Sequence, residues 1–486
     1  MATQKSLKKN ALLNSLKTFV TLFFPLITFP YSTRILGPAN IGKVNFSQSI
    51  ASYFTMIAAL GVWSYAVREA AKVRDDKKKL NQFAAEILTI TMTSTAISYI
   101  LLFIAIFTVP KFADYRTLII ISSTLIFFNT LGIDWLYAAM EDYLYITVRS
   151  IAFQIISLTL LFVLVKKESD YPFYAAINVI SNSGANILNF IHSRKYVSFK
   201  GIEKLQIKKH LKPIFTLFAF SIASSVFTTL DTSMIGFLSN DTQVGYYSAG
   251  VKIVKMLKNL FPAFYSVLFA RLAYYYQNKN EQGIQDISRN TMNFNMCFGI
   301  PISAGLALLI DPLITIFCGQ KYTDAIEISR TMCPFIILSA CSGFLGGGIL
   351  IAYSKEKIEL LAIILASAID FVLNLIFIPK HGALGAAFST LITEAFILFF
   401  YIFYLHSFIK KLKLLKPLVQ YVAATAIMSV IVWKTKTIVS NPLPQLIIST
   451  AAGIFTYGAV LLLMQNKYVT EQTKIITEKI KRKIKK

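Results

Sequence analysis

Apolar residues in this chain come in blocks of about 20 to 26, separated by short polar connections, and no other feature restricts the fold as much. A hydrocarbon core about 30 Å thick asks for roughly 20 consecutive apolar residues per helix. Within it every backbone polar group must be satisfied internally, so helices are the expected form. The blocks fall near residues 11–36, 44–67, 81–109, 116–140, 143–165, 171–192, 213–238, 245–271, 290–318, 324–352, 357–378, 383–407, 417–435 and 444–465. About fourteen spans predict one polytopic, all-α membrane protein in place of several soluble domains. A composition of 55% hydrophobic residues and a mean hydropathy of +0.59 agree.

The 49 Lys+Arg against 24 Asp+Glu, a net +25, would suggest nucleic acid in a soluble protein. Position decides otherwise. Connections on the side of the N-terminus carry about 33 Lys and Arg, and those on the opposite face about 10. By the positive-inside rule both termini are cytoplasmic, and the bias explains the basicity with no nucleic-acid role. The segment after 466, ending Lys-Ile-Lys-Lys, has apolar and basic residues at helical spacing, suited either to anionic headgroups or to a solvated tail. Lys5, Lys8 and Lys9 precede an apolar stretch that runs past a signal-peptide core, so it is expected to be a permanent first helix.

Enzyme signatures are missing. His192, His210, His381 and His406 are scattered, and no phosphate-binding loop, metalloprotease helix or nucleophile elbow occurs, so no catalytic residue or metal site is expected. Cys297, Cys318, Cys333 and Cys341 all fall in or beside spans without a CxxC and read as packing residues. Outward connections reach only about eleven residues, too short for a domain that would join two glycans. Movement of a substrate fits better than its conversion.

Ionisable residues inside spans are costly and stand as functional candidates until partners are found. In a helical hairpin, residues equidistant from the connection lie at the same depth. That rule pairs Asp134 with Arg149, Asp231 with Lys252, and Asp311 with Arg330. It matches no acid to Lys17, Lys255 or Lys258, and no base to Asp370 or Glu394. Lys252, Lys255 and Lys258 recur every three residues and form a slanting ladder on one helix face. With Lys17 and Arg34 they suggest a cationic cavity, because lysines bind phosphate as flexible point charges; snorkelling to the interface is the plainer alternative for Lys17 and Lys258. Asp370, Asn374, Thr390 and Glu394 offer oxygen ligands for Na⁺, or a carboxylate for H⁺. Pro25 and Pro30 in the first span, and Gly343, Gly346, Gly347 and Gly348 in the tenth, suggest kinks or a hinge.

Ile41-Gly42-Lys43-Val44-Asn45-Phe46-Ser47 returns weakly as Val244-Gly245-Tyr246-Tyr247-Ser248 at the turn before the eighth span. Two six-helix lobes are expected, 1–200 and 201–410, with two further helices over 411–466 and a basic tail over 467–486. Four motifs in order carry a family resemblance: Thr33-Arg34-Ile35-Leu36-Gly37-Pro38; Gly132-Ile133-Asp134-Trp135-Leu136-Tyr137 with Glu141-Asp142-Tyr143 and Arg149-Ser150; Leu230-Asp231 with Val244-Gly245-Tyr246-Tyr247; and Asn374 to Pro379 leading into Gly382 to Ala387. The chain resembles bacterial oligosaccharide and polysaccharide repeat-unit flippases, of O-antigen or capsule type, in the multidrug/oligosaccharidyl-lipid/polysaccharide exporter superfamily.

That resemblance implies two lobes that carry undecaprenyl-pyrophosphate-linked glycans across a bacterial plasma membrane by alternating access, with membrane lipids and polysaccharide polymerase machinery as partners and no cofactor beyond a coupling Na⁺ or H⁺. Relatives with a cation site imply Asp231, Asp370, Asn374 and Thr390 as its matching positions here. Asp231 cannot both stay locked to Lys252 and hold a cation, so a switch between the two is one coupling hypothesis. The rivals are a multidrug antiporter of the same superfamily, a membrane polymerase and a non-transporting scaffold. Tyr53, Asn178, Tyr246 and Tyr247 could recognise sugar but look like packing residues from sequence.

Overall fold

The computed structural model describes residues 7–199, 201–202 and 204–484. Lys5, Lys200 and the last two lysines of the charge tally lie outside them. The chain divides into two compact units, Met1–Gly245 and Tyr246–Lys486. The first holds α1 (Leu7–Ala59), α2 (Val62–Val73), α3 (Lys77–Thr108), α4 (Arg116–Gly132), α5 (Asp134–Ala139), α6 (Tyr143–Leu164), α7 (Tyr171–Val179), α8 (Asn186–Ser193) and α9 (Lys208–Leu238). The division falls within α10 (Asp241–Lys258). The second unit continues with α11 (Leu260–Gln277), α12 (Glu281–Cys318), α13 (Ala325–Met332), α14 (Phe335–Phe344), α15 (Glu356–His381), α16 (Ala383–Tyr404), α17 (His406–Leu412), α18 (Leu415–Ile438), α19 (Pro442–Leu463) and α20 (Lys467–Ile484).

Helix occupies each of the fourteen expected spans, and among the described residues ten helical segments are long and apolar enough to cross a membrane. The first two spans differ from expectation in having no loop between them. α1 runs through the first span and on to Ala59 in the second, with a break where Gly37 takes φ 72° and ψ 171°. Glycine tolerates that conformation, and Pro38 behind it restarts the helix with its fixed φ. The non-helical residue inside α1 is thus Gly37, while Pro25 and Pro30 sit within helix. In the tenth span the glycines fall in a π-helix, Leu345–Leu350, and a second one, Ile180–Gly184, joins α7 to α8.

Local chemistry sets the ends. Asp76 caps α3 by accepting from the amides of Lys78 and Lys79 at 3.1 Å, and Asn280 caps α12 through Gly283 at 2.8 Å. Large apolar side chains such as Phe107, Phe403 and Phe455 remain more than 70% exposed, as lipid-facing residues should be. Within the first unit an aromatic and aliphatic core of Tyr65, Phe83, Ile87, Trp135, Leu136 and Ile214 joins α2, α3, α5 and α9. In the second, Leu309, Met428 and Val432 join α12 to α18. All four cysteines are buried and lie outside any disulfide.

Candidate functional site

In the first unit the polar site starts from one strained residue. Ile133, between α4 and α5, has φ 42° and ψ 36°, a left-handed conformation unfavourable for a β-branched side chain. It starts α5 at Asp134, whose Oδ1 lies 2.5 Å from Arg149 Nη2 on α6 and accepts from Asn189 Nδ2 on α8 at 2.6 Å. Arg149 Nη1 donates to Asn186 Oδ1 at 3.4 Å, and Asn186 Nδ2 to Asn129 Oδ1 at 3.2 Å. The guanidinium lies 5.9 and 5.7 Å from the ring centroids of Tyr137 and Tyr145. Arg149 is 6% exposed and Asp134 is 45% exposed, facing a cavity of about 320 Å³ with Asn129, Thr130 and Trp63.

Lys17 on α1 is half-buried within electrostatic reach of both Asp134 and Arg149. This corrects the sequence reading, which matched no acid to it. The hairpin rule compares neighbours in sequence, and α1 meets α6 through a fold-level contact, Thr147 Oγ1 to the Leu13 carbonyl at 3.1 Å. Arg34, farther along α1, is exposed.

The second unit separates the remaining acids. Asp370, 1% exposed, accepts from Asn374 Nδ2 at 3.1 Å and from Thr393 Oγ1 at 3.3 Å. Thr390 sits 3.4 Å from the Tyr247 hydroxyl. Glu394 accepts from Ser342 at 2.5 Å and lies in the field of Lys258. Here too the sequence reading needs correction, since it matched Lys258 with no acid and Glu394 with no base. Lys252, Lys255 and Lys258 are half-buried on the continuous α10, Lys255 and Lys258 each 6.0 Å from a ring centroid, those of Tyr247 and Phe335. Asp311 pairs with Arg330 at 2.5 Å and also with Lys436 from α18, a partner outside the hairpin. Asp231 is buried in the first unit, and Lys252 belongs to the second.

Sequence reasoning missed one network altogether. His210, at the start of α9, places Nε2 2.7 Å from Glu86 Oε2 on α3 and Nδ1 2.7 Å from the Tyr65 hydroxyl on α2. Glu86 also receives Lys209 Nζ at 3.0 Å, Gln82 Nε2 at 2.9 Å and the amide of Gln206 at 2.9 Å. The signal was available: Glu86 is the sole Asp, Glu, Lys or Arg in the third span.

The family model for polysaccharide biosynthesis proteins matches residues 7–276. A protein of Escherichia coli (strain K12) described as an O-antigen transporter is 25% identical over 400 residues, covering 82% of this chain and 96% of its own. The capsular polysaccharide biosynthesis protein CapF of Staphylococcus aureus is 24% identical over 380 residues, 76% of this chain and 92% of its own. Among solved structures, an inward closed lipid II flippase MurJ superposes with a TM-score of 0.76 at 16% identity, over 94% of this chain and all of that one. An inward-facing multidrug resistance MATE transporter of the MOP superfamily gives 0.63 at 16% identity, over 83% and 99%. These two likenesses establish the fold.

Proposed function

The chain belongs to the polysaccharide biosynthesis protein family, and from that premise we propose that it is a flippase, moving a lipid-linked glycan across the membrane without altering it. The cargo is an undecaprenyl-pyrophosphate-linked repeat unit of capsule or O-antigen type, carried from the cytoplasmic to the outer leaflet of a bacterial plasma membrane by alternating access. Both termini face the cytoplasm.

The observation that carries this reading is the set of lysines on α10. Three ammonium groups at three-residue spacing are half-buried in a helix otherwise rich in apolar residues. Ammonium groups held partly out of water attract an anion. A pyrophosphate supplies that anion, and flexible point charges can pass it from one to the next. Glu394 offsets part of the charge at Lys258. Lys17 and Arg149 supply cations in the other unit, with Asp134 as their counter-charge. Asp370, Asn374 and Thr393 bring the side-chain oxygens that a hard cation prefers, which supports coupling to Na⁺.

Depleting the protein and measuring lipid-linked glycans by mass spectrometry, with a probe confined to the outer leaflet, tests the proposal. Accumulation of undecaprenyl-pyrophosphate glycan on the inner leaflet is expected. Accumulation on the outer leaflet would instead indicate a polymerase, and no accumulation would shift the reading to drug export. In the same assay Asp231→Asn should weaken the dependence on the driving cation; unchanged dependence would discard the Asp231 switch.

A further inference from the structure

The network around His210 forms the wall of a cleft that the transport reading does not use. It measures about 890 Å³, lies within the first unit, and opens between α2, the start of α3 and the segment leading into α9. Tyr65, Glu86 and His210 form its inner surface, Lys78, Lys79 and Lys209 its rim, and Val73, Phe83 and Ile202 its apolar side.

Its carboxylates are already occupied. Glu86 takes four donors, as described above. Glu69 is held by Lys72 at 2.9 Å and Arg68 at 3.2 Å, and Asp76 by Lys79 at 3.1 Å and the α3 amides. Among the described residues that line the cleft, three lysines, Lys78, Lys79 and Lys209, face two carboxylates, Glu69 and Glu86. Lys79 and Lys209 keep 72% and 50% of their side chains exposed, so their ammonium groups can meet a second anion.

The cleft sits where α3, an apolar span, begins with Lys77, Lys78 and Lys79, which is headgroup level for a membrane helix. A soluble phosphate would gain nothing from the apolar side, whereas a lipid lays its glycerol and first methylenes against such a surface. We propose that the cleft between α2, α3 and α9 is a binding site for the phosphate headgroup of an anionic membrane lipid, with Lys78, Lys79 and Lys209 as its cationic donors. The proposal stands apart from the flippase reading, since binding is measured without transport.

The test is native mass spectrometry of the full chain in detergent, titrated with phosphatidylglycerol or with phosphatidylcholine of the same acyl chains. Phosphatidylglycerol should be retained preferentially. Lys78→Gln with Lys79→Gln should weaken it about fivefold per lysine removed, while the Lys→Arg pair restores binding. Lys410→Gln with Lys411→Gln, two exposed positions on α17, should leave it unchanged. Equal retention of the two lipids, or equal loss in both Gln pairs, would overturn the site. Displacement by millimolar inorganic phosphate would overturn the lipid as occupant, and displacement by undecaprenyl pyrophosphate alone would make the cleft part of the transport route instead.

Discussion

Arg149 brings a full charge into a setting that leaves 6% of its side chain exposed, and its Nε finds no partner among the described residues. Removing its counter-charge should therefore cost more than removing both charges together. Asp134→Asn is expected to destabilise the chain by roughly 3–5 kcal/mol, whereas Asp134→Leu with Arg149→Met should cost much less. Thermal unfolding in detergent reads the difference, and equal losses would show that the pair is not the principal interaction there. The Asp134–Arg149 pair was legible because both residues flank one turn at equal distances. Lys17 and Lys436 were not, because their carboxylates come from helices that meet them only after folding. Glu86 and His210 illustrate the same limit, being 124 residues apart in sequence and 2.7 Å apart in space.

At the level of helices, the two glycines of the weak repeat, Gly42 and Gly245, turn out to be neighbours. A Cβ on Gly42 would lie 1.8 Å from the Asp241 carbonyl oxygen, and one on Gly245 would lie 2.0 Å from that of Pro38. α1 and the start of α10 thus touch backbone to backbone, with Tyr115 donating to the Asp241 carboxylate at 2.5 Å beside them. Because the obstacle is backbone, a methyl can be accommodated only by moving the helices apart. Gly42→Ala should destabilise by about 1–3 kcal/mol as an overpacked contact. Gly458→Ala on α19, with nothing within 4 Å of its added carbon, should stabilise by about 0.5–1 kcal/mol through helix propensity. Chemical denaturation of the two variants checks the contrast, and similar effects would refute the close-approach argument. The repeat marked these glycines as related, but nothing in the local sequence placed one against the other.

For the whole molecule, the charge asymmetry predicts an orientation that reporter fusions can test. A reporter that fluoresces only in the cytoplasm should be active after residue 75 and inactive after residue 440, since basic residues cluster at the first turn and the second joins α18 to α19 across the expected membrane. The reverse pattern would invert the proposed direction of transport. The sequence by itself determined the all-helical membrane class, the positions of the spans and the family resemblance. All three depend on hydropathy, composition and short motifs, which are local properties. Only the tertiary structure decided that α1 continues from the first span into the second without a loop, that Lys258 shares its field with Glu394, that Thr393 donates to Asp370, and that Tyr65, Glu86 and His210 meet around a cleft. Electrostatic and hydrogen-bond partners are chosen by distance in space, and a polytopic bundle brings together helices whose separation along the chain does not encode it.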